Sequence, residues 1–460
     1  MANFWDSNVW GTLNLVAVLL LSMLLATVLK NMIKFLRVSL IPTSVLGGGI
    51  LLVISSVYEI ITKKGFFDGA FFNNNGFSTL ETITYHALAL GFIASALKTG
   101  KGKLSKKRTI EIFNTGVTTV STYLLQAIIG MGITMIAALI LTDFFNVAGI
   151  LLPFGYGQGT GQAMNYGNIY ETEHGFDGGK GFGLTIAALG FLSASIGGVV
   201  HLNILRKKGK ILSAGEKAEN LQSEQIQSEK EIPMQGSMDK ITVQMGMILG
   251  AYFIANLLMA GLSMLLPGMK ATIYGFNFLL GVLAATLIKT VLNFLNKKSI
   301  IKREYGNNFL LTRCSNFFFD IMVVAGIAAI RLSVLEKYWG VMLILGLAGA
   351  LSTYFYLRKV SLSLFPEYAE EEFLGMYGML TGTASTGIIL LREIDENFET
   401  PVADNMVYQN FPAIAFGFPM MLLATLAPVK PVLTFIILVL FFLAMNIILF
   451  RSLIFKRKKK

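Results

Sequence analysis

Apolar runs of about twenty residues recur along the chain and are separated by short polar or glycine-rich segments. A helix of that length crosses roughly 30 Å of hydrocarbon, whereas a barrel strand would alternate apolar and polar positions. The pattern therefore predicts an all-α polytopic membrane protein. We predict eleven membrane spans, at Leu13–Leu29, Ile41–Ile61, Ile83–Leu97, Val117–Leu141, Phe182–Leu205, Ile241–Leu266, Ala271–Leu292, Cys314–Leu335, Gly340–Tyr356, Met406–Leu426 and Val432–Leu449.

Composition agrees with this class, because 54% of the 460 residues are hydrophobic and only 14% are charged. The net charge of +11 lies in short clusters between apolar runs, so it does not indicate a nucleic-acid partner. Cys314 is the single cysteine, and we interpret it as a small core residue. His174 and His201 have no ligand-like spacing, so we predict no metal site and no cofactor.

The basic clusters fall in alternate loops, and positive charge keeps short loops in the cytoplasm. This pattern predicts a cell-membrane protein with its N-terminus outside and its C-terminus in the cytoplasm. The clusters are Lys30/Lys34/Arg37, Lys98 to Arg108, Arg206–Lys210, Lys297–Arg303, Arg358/Lys359 and Lys456–Lys460.

A polar segment, Ile211–Lys240, is too poor in apolar residues to fold alone, and we predict a cytoplasmic linker over residues 206–240. It divides residues 1–205, with five spans, from residues 241–428, also with five. The two halves start on opposite sides, which predicts inverted repeats. Residues 429–460 add an eleventh span and a basic tail.

The motif G-x-x-x-G-T occurs once in each half, at Gly155–Thr160 and Gly378–Thr383. Apolar segments interrupted by glycine at corresponding positions are typical of broken helices that meet near the bilayer midplane. We predict a re-entrant hairpin near residues 155–167, entering from outside, and a second near 375–391, entering from the cytoplasm. The alternative is that the glycines only permit close helix packing.

The hairpins supply the candidate binding residues, since half-helix N-termini attract carboxylates and exposed carbonyls coordinate sodium. Candidate substrate-binding residues are Gly157, Gln158, Gly159, Thr160, Gly161, Asn165, Thr381, Gly382, Thr383, Ser385, Thr386 and Arg392. Candidate cation-binding residues are Thr160, Thr383, Asn316 and Asp320.

Ionisable and polar residues within spans are functional candidates. Asn316 and Asp320 lie one turn apart and could share a cation, although Asp320 could instead pair with Arg331. Arg392 could bind a substrate carboxylate or be a topology charge. His86 could pair with Asp320 or be a satisfied buried histidine. Further polar groups that could complete the site or bond between helices are Ser121 and Gln126.

Several segments resemble the bacterial sodium/glutamate symporter family. Ile41–Gly48 is similar to the family's I-P-x-P-V-x-G-G element, and Phe92–Lys98 is also similar. Gly155–Ala163 resembles its G-G-H-G-T-G-A-A-W loop, and Thr383–Gly387 lies where its second loop is expected. The resemblance implies a homodimeric inner-membrane carrier of two inverted repeats that takes up L-glutamate with sodium by moving a transport domain.

The chain also departs from this family. The loop histidine is absent, with Gln158 beside its place, the following tryptophan is missing, and the span Val432–Leu449 is additional. Another organic anion, such as a dicarboxylate, is therefore the alternative substrate. A channel is a further alternative. We predict no enzyme, because the sequence lacks H-E-x-x-H and G-x-S-x-G.

Overall fold

The computed structural model describes residues 3–98, 105–209, 231–232, 238–395 and 399–454. These parts of the chain are helical, apart from one isolated bridge between Glu231 and Glu304. Ten helices in them are long and apolar enough to cross a membrane, and a bent helix pair would make an eleventh. The prediction of an all-α, multi-pass membrane protein is confirmed.

The described part of the first half contains seven α-helices. They are α1 (Ser7–Met32), α2 (Lys34–Val38), α3 (Thr43–Thr62), α4 (Gly76–Leu97), α5 (Lys106–Ile140), α6 (Leu151–His174) and α7 (Gly179–Lys207).

The second half adds shorter and more interrupted helices. They are α8 (Lys240–Leu265), α9 (Lys270–Gly275), α10 (Asn277–Lys297), α11 (Asn308–Ala328), α12 (Leu332–Leu364), α13 (Ala369–Thr381), α14 (Ala384–Arg392), α15 (Val402–Tyr408), α16 (Asn410–Leu426), α17 (Pro431–Leu449) and α18 (Arg451–Ile454).

The predicted eighth span, Cys314–Leu335, is wrong at its C-terminal end. α11 stops at Ala328, and α12 starts at Leu332 and contains the predicted ninth span. Arg331 precedes α12, where its guanidinium lies 4.8 Å from the Phe77 ring centre and 3.9 Å from Glu81. Arg331 is therefore paired with Glu81, and the proposed pairing with Asp320 is not observed.

Two other predicted spans are interrupted. Phe276 separates α9 from α10, so the seventh span, Ala271–Leu292, begins with a separate short helix. The tenth, Met406–Leu426, is bent by 50° between Val402–Tyr408 and Pro412–Leu426. Proline at residue 412 removes a backbone donor, which explains a break at this point.

Helix contacts in the two halves come in matching pairs. α1 packs on α3 as α8 packs on α10, and α3 packs on α11 as α10 packs on α4. Likewise, the contact between α12 and α7 matches the contact between α16 and α5. The helices α4 and α11, one from each half, pack directly on each other. The contacts therefore relate elements of the first half to elements of the second.

The additional helix α17 lies against α5 and reaches α12. Asn446 accepts a hydrogen bond of 2.9 Å from the Tyr356 hydroxyl. Just beyond α17, Arg451 donates to Asn114 on α5 over 3.0 Å. Most of the predicted linker Ile211–Lys240 and the tail Lys456–Lys460 lie outside the described residues.

Candidate functional site

Helix α6 folds back on itself at Gly159. The rings of Phe154 and Tyr166 stack with centres 4.0 Å apart, whereas a straight helix would separate residues twelve positions apart by about 18 Å. Phe145, before the helix, stacks on Phe176, after it, at 4.7 Å. The chain therefore approaches and leaves α6 at the same end of the bundle. Gly159 has φ 81° and ψ −171°, a conformation that side chains disfavour.

α13 and α14 form a second fold-back, broken at Gly382 and Thr383. Their arms touch through glycines, because a Cβ on Gly378 would lie only 2.7 Å from the Gly387 Cα. Thr383 is extended, and its hydroxyl accepts the Thr386 amide over 3.3 Å, which caps the start of α14. In both halves, the break occurs at the second glycine of G-x-x-x-G-T.

The two breaks lie side by side inside the protein. A Cβ on Gly159 would lie 4.0 Å from the Thr383 Cγ2 and 3.3 Å from the Met322 Cε. The second arm of α6 and helix α14 both begin here, so two helix N-termini with partial positive charge converge. The first arms end here, and their last carbonyls have no partner within their own helix. One place thus offers ligands for an anion and for a cation.

Several predicted site residues lie around these breaks. The Thr160 hydroxyl donates to the Met322 carbonyl over 3.1 Å, and Tyr123 donates to the Gly157 carbonyl over 3.0 Å. Thr381 donates to the Tyr377 carbonyl over 2.6 Å. Gly161 and Thr386 are buried and Gln158 is half-buried, while the side chain of Ser385 is outside the described part.

Other predicted residues lie away from the breaks. Asn165 is buried on the second arm of α6 and donates to the Gly275 carbonyl over 3.2 Å. Arg392 is the last residue of α14 and is exposed. The rise of the helix over ten residues places it about 15 Å from Gly382. That position is too far for a substrate held at the breaks.

The structure does not bring the four predicted cation ligands together. Met322 of α11 faces Thr160, but Asp320 lies two residues earlier, about 200° around the helix. Asp320 and Asn316 are exposed, and the Asp320 carboxyl group faces Ser44 of α3. His86 bonds the Tyr252 hydroxyl at 2.6 Å and is exposed, so its predicted pairing with Asp320 is not observed.

Two buried amides add to the candidate site. Gln162, three residues beyond Gly159, is 1% exposed, and neither of its amide atoms has a hydrogen-bond partner among the residues that the structure describes. Gln126 of α5 donates to the Leu380 carbonyl over 2.9 Å and to Thr353, which leaves its Oε1 unpartnered. Gln162 belongs to the predicted loop but was not among the predicted site residues. The sequence feature that could have indicated it is a polar amide side chain within a glycine-rich helix break.

Charged side chains surround the ends of the second fold-back. Arg358 of α12 makes two contacts with Glu370, at 2.5 and 2.9 Å, and His201 of α7 approaches the same carboxylate at 3.1 Å. Lys107 pairs with Glu367 at 2.9 Å, and Arg206 pairs with Glu393 at 3.1 Å. We call this end of the bundle, where Lys107, Arg206 and Arg358 lie, the basic end.

These features define a polytopic membrane protein with two fold-back helices that meet in its interior, an arrangement consistent with a transporter. Comparison of the chain with protein-family models finds no matching family, and comparison with curated proteins finds no similar relative.

Proposed function

We propose that this protein is a secondary active carrier that takes up a small organic anion together with sodium by alternating access. L-Glutamate is the first candidate substrate because of the sequence resemblance, and a dicarboxylate is the second. The observation that carries the proposal is the meeting of the two helix breaks at Gly159 and Thr383.

The architecture that we infer is a pair of inverted five-span repeats with two re-entrant hairpins and one additional span. The matching helix contacts of the two halves support this arrangement. So does the common position of the breaks within G-x-x-x-G-T, at Gly159 and at Gly382. The first hairpin would open to the outside and the second to the cytoplasm, with the basic end in the cytoplasm.

Substrate would bind where the two helix N-termini converge, because partial positive charges stabilise a carboxylate that has lost its water. The Gln162 amide, which can both donate and accept, and the unpartnered Oε1 of Gln126, which can only accept, would supply the remaining hydrogen bonds. Sodium would bind to the carbonyls and hydroxyls of the same breaks. Each ligand would then favour the other, and this coupling is necessarily reciprocal.

The test is uptake of radiolabelled L-glutamate into proteoliposomes that contain the purified protein. Uptake is measured with an inward sodium gradient, with choline in place of sodium, and with unlabelled dicarboxylates as competitors. The proposal predicts saturable accumulation that requires sodium. Flux that does not saturate and needs no gradient would contradict it and favour a channel.

A matched pair of variants links uptake to the proposed site. Gln162→Ala removes an amide with no partner in the structure, so we expect weaker substrate binding with little loss of stability. Gln244→Ala, on α8, serves as the control because it is also buried but bonds the Tyr305 carbonyl over 2.8 Å. We expect this control to lower stability without changing the substrate KM. The homodimer implied by the resemblance is a separate prediction.

A further inference from the structure

A buried carboxylate at the basic end forms no ion pair with any residue in the described part of the chain. Glu372, in the first turn of α13, is 1% exposed, and its Oε2 has no hydrogen-bond partner within the described ranges. Its Oε1 is 3.2 Å from the Thr115 hydroxyl of α5, which is also 3.0 Å from the Glu111 carbonyl. The hydroxyl has only one hydrogen to donate, so it cannot satisfy both oxygens at once.

Neutral polar groups near Tyr368, which adjoins this carboxylate, are also unsatisfied among the described residues. Asn405 of α15 is fully buried and faces the Tyr368 hydroxyl, but neither side chain reaches a partner at hydrogen-bonding geometry. One turn later, the Oε1 of Gln409 is buried and unpartnered. Buried polar groups in native proteins are nearly always hydrogen-bonded, so several together indicate a missing ligand.

Arg108, the cation that acts on Glu372, and its neighbour Lys107 already have partners. Arg108 bonds Glu111 at 2.8 Å, and Lys107 bonds Glu367 at 2.9 Å. Burial raises the pKa of the Tyr368 hydroxyl, and the negative charges of Glu372 and Glu111 raise it further. Glu372 and Glu111 thus bring two carboxylates near one another, with Arg108 as the nearby opposing charge, and a buried carboxylate without an ion pair is costly.

An open pocket of 460 Å³ lies beside this group at the basic end. Tyr368 and Glu111 line the pocket and also adjoin the Glu372 carboxyl group. Further acidic side chains along its wall are Glu367, Glu399 and Asp404. Lys107 and Arg108 also line the pocket, but its four carboxylates outnumber these two cations, so the pocket would attract a small cation.

We propose that Glu372, Asn405, Tyr368 and Thr115 form a binding site for a small monovalent cation, with sodium as its ligand. Carboxylate, amide and hydroxyl oxygens are the ligands that hard cations prefer, and one carboxylate balances one positive charge. Glu372 precedes Gly382 by ten residues, so the site lies about 15 Å from the helix break. The ion would tie α13 to α5 and α15 and hold the second fold-back closed at its base.

The test is the thermal stability of the purified full-length protein in detergent, without substrate. Sodium chloride is titrated against choline chloride at constant ionic strength. We expect the melting temperature to rise saturably with sodium, and the apparent Kd for sodium to increase about tenfold or more in Glu372→Gln and in Asn405→Ala. Asp404→Asn, which changes the wall of the pocket, should bind sodium nearly as the unchanged protein does.

Unchanged sodium stabilisation in both Glu372→Gln and Asn405→Ala would overturn the site. Stabilisation of the unchanged protein by lower pH but not by sodium would also overturn it, because the carboxyl group would then hold a proton instead. The assay needs no transport, so the proposed function can fail in proteoliposomes while sodium binding at Glu372 is upheld.

Discussion

The two fold-back helices share a motif and a central position, but different interactions hold them in place. α6 is fixed by neutral contacts: Tyr166 stacks on Phe154 and donates to the Met421 carbonyl over 2.9 Å, and Tyr170 donates to the Ala424 carbonyl over 2.6 Å. The base of α13 and α14 is held instead by an ion pair between Glu370 and Arg358, and His201 contacts the same carboxylate.

This difference suggests which fold-back moves under changing conditions. Stacked rings and neutral hydrogen bonds are almost independent of salt, whereas partly exposed ion pairs are screened by it. The second fold-back also has the unsatisfied carboxylate Glu372 at its base. We therefore expect ions to control α13 and α14, while α6 stays fixed.

The largest expected effect concerns the support of the first fold-back. In Gly149→Ala, the new Cβ would lie 1.8 Å from the Gly130 carbonyl oxygen, so the chain leading into α6 must separate from α5. We expect a loss of about 3 kcal/mol in stability, seen as a lower melting temperature in detergent. Gly250→Ala is the control, because its Cβ would meet nothing within 4 Å. Equal melting temperatures for the two variants would contradict a tightly packed first fold-back.

Gly159→Ala should affect transport more than stability. Its left-handed φ of 81° disfavours any side chain by about 2 kcal/mol, and the Cβ would press on Met322. We expect sodium-driven uptake to fall roughly tenfold, since the break would be displaced from Thr383. The same Gly250→Ala variant should keep normal uptake. Full uptake in Gly159→Ala would show that the break need not keep this geometry.

The sequence predicted those features that depend on neighbouring residues. G-x-x-x-G-T located both breaks, because a glycine followed by a capping hydroxyl is a local signal, as Thr383 illustrates. The sequence did not predict the end of α11, because the turn that follows it consists of apolar residues like those of a membrane span. Ala329 and Ile330 in this turn are buried, with 1% and 2% of their surface exposed. Arg331 pairs with Glu81, which lies far away in the sequence, so no local pattern indicates the turn.

The candidate site was predictable only in part, for a related reason. Thr160 and Thr383 follow directly from the motif. The direction in which Asp320 points depends on how α11 rotates against α3, and packing with distant helices determines that rotation. The buried carboxylate Glu372 is similarly hidden, because the sequence places it in an ordinary acidic first turn of a helix.

Glu370→Gln tests whether charge holds the second fold-back. It removes the carboxylate that contacts both Arg358 and His201. Arg358 and Glu370 are half-buried and His201 is buried, so we expect a loss of about 1.5 kcal/mol. The loss should shrink in high salt, where the pair in the unchanged protein is already weakened. Glu367→Gln is the control, because both side chains of the ion pair between Glu367 and Lys107 are exposed to solvent. A larger effect of Glu367→Gln would refute the assigned role of Glu370.

The smallest effect should come from the neutral contacts of the first fold-back. Tyr170→Phe removes the donor to the Ala424 carbonyl and leaves that buried oxygen unpaired, at a cost of about 1 kcal/mol. The ring remains, so its packing against Phe145 should persist. Melting temperatures measured at low and high salt should show the same loss, in contrast to Glu370→Gln. A salt-dependent loss in Tyr170→Phe would mean that the two fold-backs are not held by different kinds of interaction.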